Sequence, residues 1–111
     1  MNWDEAVAYA LALPDTALST SYGKPAVKAF GRTILAPGHE PHDSFMLSLP
    51  LDAVDMLTGM EPETFYQTPH YVGWGAVLGR YSGDAERVGY WIGQAWEYAE
   101  GKKGRRQAVK A

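Results

Sequence analysis

Ala26-Val27-Lys28-Ala29-Phe30-Gly31-Arg32-Thr33-Ile34-Leu35-Ala36-Pro37 reads as two short strands, 26–30 and 33–37, with Gly31-Arg32 between them. Two residues are enough for a hairpin, and glycine at the first central position suits a type II′ turn. An antiparallel pair is therefore expected here. Upstream, residues 16–22 are rich in Thr, Ser and Tyr and read as a further strand. Pro25 marks a strand start or an edge, because it has no N–H to give to a ladder.

Before that strand, Asn2 is a good N-cap and Glu5 stands where it closes a capping box. Trp3, Val7, Ala10 and Leu11 then follow at helical spacing. Pro14 disfavours helix at Leu13, so this helix should end near Ala12. Downstream, residues 38–43 are a loop. Phe45, Leu47 and Leu49 alternate with Ser44, Met46 and Ser48, the pattern of a half-buried strand. Pro50 suits the first turn of a helix that buries Val54 and Leu57 and stops at Gly59. Residues 65–68 and 74–81 read as two more strands. Asp84 is an N-cap candidate for a last helix over 84–100, with Val88, Trp91, Ile92, Ala95 and Ala99 as its apolar stripe. Gly89 and Gly93 share a face of that helix, and close approach to the sheet explains them best.

The chain has 111 residues, 46% of them apolar, with four Trp, seven Tyr and no Cys. That is the size of one domain, read as residues 1–100, with a basic and flexible tail over 101–111. Disulfides, thiol nucleophiles and Cys-based zinc sites are excluded. The acidic start, Met1-Asn2-Trp3-Asp4-Glu5, does not read as a signal peptide, and no apolar run is long enough for a bilayer. A cytoplasmic location is expected. Net charge is −3. All 13 acids lie between Asp4 and Glu100, while five of the ten bases (Lys102, Lys103, Arg105, Arg106, Lys110) lie in the tail. The first 100 residues thus set five bases against 13 acids and carry −8. Residues 16–39 hold Lys24, Lys28 and Arg32 and no acid; residues 40–63 hold six acids and no Lys or Arg. A body of this sign repels polyanions at long range, so any nucleic-acid contact must use the first strands or the tail.

Leu13-Pro14 with Ser21-Tyr22-Gly23-Lys24-Pro25-Ala26, the stretch Phe30-Gly31-Arg32-Thr33-Ile34-Leu35-Ala36, and above all Pro62-Glu63-Thr64-Phe65-Tyr66-Gln67-Thr68-Pro69-His70-Tyr71 resemble the MmcQ/YjbR family. The Thr-Pro-His-Tyr motif stands intact at the end of that last block. Residues 90–96, with Trp91 and Trp96, look like the family's final helix. The resemblance covers about residues 5–99. It departs from the family at Gly75-Ala76, where Pro-Trp is usual. It implies an α+β fold, an antiparallel sheet with helices packed on it, similar in outline to type III secretion chaperones. It also implies DNA binding.

Little catalytic chemistry is offered. His39-Glu40-Pro41-His42-Asp43 has metal-ligand residue types, but Gly38 and Pro41 make it a loop, no further ligand follows nearby, and a solvated loop is the better reading. His70, in the motif Pro69-His70-Tyr71, has no nucleophile or carboxylate beside it, so a turn-fixing role is favoured over a general base. No phosphate-cradling glycine loop, nucleophile elbow or zinc-protease helix is present. No cofactor is implied. Phe65, Tyr66, Tyr71 and Trp74 form an aromatic patch suited to stacking bases or to filling a core.

Two readings follow, both of a non-enzymatic binding domain without a membrane partner. In one it binds DNA, weakly and salt-sensitively, through Lys24, Lys28, Arg32, Arg80 and the tail bases Lys102, Lys103, Arg105 and Arg106. In the other it is an adaptor or chaperone-like module that binds protein or a second copy of itself. Whether Lys24, Lys28, Arg32 and Arg80 share one exposed face separates them.

Overall fold

A computed structural model describes the chain apart from Tyr22, residues 39–43, His70, Trp74 and Ala111, and apart from the side chains of Ser21 and residues 103–110. The expected hairpin is present, as β2 (Lys24–Ala29) and β3 (Arg32–Pro37). Its turn differs from the expected one. Ala29 pairs with Arg32, so the two central residues are Phe30 and Gly31, not Gly31 and Arg32. Their φ angles are 54° and 78°. Two positive φ values make a type I′ turn rather than II′, the form whose twist matches the flanking strands. A bulky residue at positive φ is strained, at about 1–3 kcal/mol. The Phe30 ring gains a contact in return, with its centroid 5.6 Å from that of Trp96.

The described residues form three helices and a six-stranded antiparallel sheet in the order β1-β2-β3-β4-β6-β5. The fold class is α+β, with an antiparallel sheet and helices packed on it. β1 (Thr16–Ser21) and β4 (Ser44–Ser48) flank the hairpin. The chain then makes α2 (Leu51–Met60), lays β5 (Phe65–Tyr66) at the far edge, and returns as β6 (Ala76–Arg80) in the space between β4 and β5. β4 and β5 therefore run in the same direction, as a split β-α-β unit.

α1 (Trp3–Leu11) carries the expected capping box: Glu5 N donates to Asn2 Oδ1 at 2.8 Å, and Asn2 N donates to Glu5 Oε1 at 3.0 Å. Ala6 and Ala10 are its buried residues, while Leu11 is exposed. In α2, Pro50 is the N-cap rather than the first helical residue, and the helix passes Gly59 to Met60. A single glycine costs about 1 kcal/mol in a helix interior, which is too little to end one that still gains the Glu61 N to Leu57 O bond. β5 is shorter than expected. Past Tyr66 the Gln67 side chain donates to the carbonyls of Tyr71 (3.0 Å) and Ala76 (2.8 Å), so the segment is held by a side chain instead of a ladder.

The last helix, α3 (Ala85–Lys110), starts as expected, with Asp84 Oδ1 accepting from Glu86 N at 2.8 Å. Its end is not the expected one: helical backbone continues through the basic segment instead of stopping near 100. Lys, Arg, Gln and Ala are good helix formers, and Gly101 and Gly104 alone do not halt propagation.

One buried cluster joins Ala6 and Ala10 of α1, Val54 and Leu57 of α2, and the Val88, Ile92, Ala95 and Ala99 stripe of α3 to Val27, Leu35, Phe45, Leu47, Phe65 and Val77 of the sheet. The helices thus cover one face. Alternation places Lys28, Met46, Leu78 and Tyr66 on the other. Gly89 meets α1 rather than the sheet: a Cβ there would lie 2.9 Å from Tyr9 Cε2. Gly93 faces open space.

Candidate functional site

The register decides which way each strand base points. Lys24 and Lys28 alternate with the core residues Val27 and Ala29, so both lie on the face without helices. Arg80 pairs with Ser44 and lies on that face too, but on β6. β2 and β6 are three strand spacings apart, about 14 Å.

Arg32 goes the other way. Val27 pairs with Leu35, yet Lys28 pairs with Thr33, which leaves Ile34 as an extra residue in β3. Ile34 and Leu35 both enter the core cluster. A bulge of this kind reverses the facing of the residues before it. Arg32 is therefore opposite Ala29 on the helix-bearing side. The four strand bases do not share one face.

Arg80 is committed locally. Its guanidinium lies 4.1 Å from the Tyr66 ring centroid, and Nη1 donates to the carbonyls of Pro62 (3.2 Å) and Glu63 (3.3 Å). It latches the α2–β5 connection to the sheet.

Arg32 instead borders a cleft of about 490 Å³ between the β2–β3 hairpin and the C-terminal half of α3. Thr33, Ser48 and Gly75 line one wall; Ala95, Tyr98, Ala99 and Lys102 line the other. Lys102 Nζ sits 4.8 Å from the Tyr98 ring centroid. Arg32 Nε is buried and has no hydrogen-bond partner among the described residues. The only ion pair among those residues is Arg87–Glu61, so neither Arg32 nor Lys102 has a carboxylate within ion-pair distance there. Two cations and one aromatic ring border a space the size of a small-molecule site, while the Thr33 and Ser48 side chains lie on the opposite face of the sheet and reach the cleft only through their backbone. Such a set suits an anion, because two cations without a carboxylate partner among the described residues border the same space.

Lys102 was expected in a flexible tail, but helical continuity brings it to the cleft. Tyr98 and Ser48 were not among the expected site residues. The Tyr98–Lys102 spacing of one helical turn was the available signal. Lys103, Arg105 and Arg106 lie on the helical backbone beyond, and their side chains are outside the described set. His39, Glu40, His42, Asp43, His70 and Trp74 are also outside it. Of the rest of the motif, Pro69 is exposed, and Tyr71 N donates to the Thr68 carbonyl at 2.9 Å. Phe65 is wholly buried and Tyr66 lies beneath Arg80, so half of the aromatic patch is structural.

Among the described residues no group of three His, Asp or Glu side chains is placed to hold a metal, and no helix is long and apolar enough to cross a membrane. No protein-family model, curated protein or solved structure matches this chain.

Proposed function

We propose that this is a non-enzymatic binding domain for phosphate-bearing polyanions. DNA is the candidate favoured by its resemblance to the MmcQ/YjbR family. The observation that carries the reading is the convergence of Arg32, from β3, with Lys102, from α3, on one cleft without a carboxylate partner among the described residues. The remaining tail bases continue along the same helix. Lys24 and Lys28, on the opposite face, and Arg80, already latched, take no part.

The affinity is low, because the body's net charge of −8 opposes approach and few cations are engaged. Each phosphate contact contributes about −0.9 to the slope of log K against log salt, so about five contacts lose most binding at physiological salt.

Anisotropy titration of a labelled duplex at low and at physiological salt tests this. Arg32→Ala and Lys102→Ala should each weaken binding and each reduce the salt slope by about one contact. Deleting residues 101–111 should remove most of the affinity. Lys24→Ala with Lys28→Ala should leave the slope unchanged. Equal loss from the Lys24 and Lys28 changes would move the site to the other face. Absence of binding at low salt would leave the adaptor reading.

A further inference from the structure

β1 is an edge of the sheet, and among the described residues only its β2 side is paired. Natural edges are usually blunted by brevity, charge, proline or a bulge. The opposite edge, β5, is blunted by its length of two residues. β1 has none of these devices. Thr16-Ala17-Leu18-Ser19-Thr20-Ser21 is uncharged and free of proline, and it pairs with β2 in unbroken register from Thr16–Ala29 to Ser21–Lys24.

Its surroundings specify a partner. Leu18, opposite Val27, lies on the helix-bearing side and is 57% exposed. On the other side the neighbouring strand carries Lys24 and Lys28, with only small residues such as Ala17 between Lys28 and the edge. Neither lysine has a carboxylate within ion-pair distance among the described residues. Strands lie about 4.8 Å apart, so a lysine on β2 reaches across an alanine to the side chains of an added strand. The nearest acid in sequence, Asp15, flanks only the start of β1.

We propose that β1 receives an extended acidic segment of a partner protein as one more strand. The backbone of the segment pairs with Thr16–Ser21. Its acidic side chains, on alternate residues, meet Lys24 and Lys28, and an apolar side chain between them covers Leu18. Charge selects this occupant over a second copy of the chain, which would bring its own Lys24 and Lys28 to the same junction. Backbone pairing selects it over duplex DNA, which has no strand to add. This edge is separate from the Arg32–Lys102 cleft, so the two readings stand or fall independently.

The test uses the full chain, isotopically labelled, and a capped peptide about six residues long that alternates valine and glutamate. Saturable binding should slow amide exchange at residues 16–21. The same peptide N-methylated at alternate residues, which cannot pair, should not bind. Lys24→Glu with Lys28→Glu should lower affinity roughly tenfold and transfer the preference to the lysine counterpart of the peptide. Any of three results overturns the proposal: no protection of β1 at millimolar peptide, equal binding of glutamate and lysine peptides, or protection of β1 that rises with protein concentration alone. The last would assign the edge to a second copy.

Discussion

Gly79 shows how much a single missing Cβ can matter. It pairs with Phe45, and a Cβ there would lie 2.4 Å from Phe45 Cζ. Phe45 is wholly buried and its ring also packs on Tyr81, with centroids 5.1 Å apart, so it has nowhere to retreat. Gly79→Ala should cost about 1–3 kcal/mol in urea unfolding. Gly93→Ala, into open space within α3, should raise stability by about 0.5–1 kcal/mol through helix propensity. Tyr81 gives a pH signature. Burial, assisted by Asp4, pushes its phenol up to about 12 from the ordinary 10.0. The folded state thus favours the neutral phenol. Its contribution is complete below pH 10 and is lost as pH rises from about 10 towards 12. Melting temperatures across that range should fall less steeply in Tyr81→Phe than in the unaltered chain.

Between elements, one long-range bond joins the end of the sequence to its beginning. Trp96 Nε1, on α3, donates to the Pro14 carbonyl at 2.7 Å, in the link between α1 and β1. Trp96→Phe keeps a ring against Phe30 and removes the donor, so it should cost about 1 kcal/mol by thermal unfolding. Most elements were legible in the sequence because their signals are local: the Asn2–Glu5 box, the alternation from Ser44 to Leu49, the stripe from Val88 to Ala99. The hairpin was legible but not its turn, since one glycine serves either central position and the choice of Phe30 depends on Trp96, 66 residues away. The aim of Arg32 was hidden for a similar reason. Strict alternation says nothing of the bulge at Ile34, and that bulge is what separates Arg32 from Lys24 and Lys28. Lys102 was hidden by composition, because glycine and bases read alike in a helix end and in a tail.

For the molecule as a whole, charge and topology divide the work. The helix-bearing side holds the Arg32–Lys102 cleft, and the bare side keeps Lys24 and Lys28 beside an unguarded edge. The position of β6 has a consequence in time. A strand that is last in the sheet by sequence but interior by place must pair with a neighbour distant in sequence. Whether β6 arrives with β5 as a hairpin or enters between β4 and β5, its pairing with β4 closes the whole α2–β5 excursion. Refolding should therefore wait on one late closure and run slower than in a simple meander of equal length, since distant partners must meet first. If that closure is the rate-limiting barrier, Gly79→Ala, which spoils the slot, should act mainly on the folding limb of a chevron plot and leave the unfolding limb nearly in place.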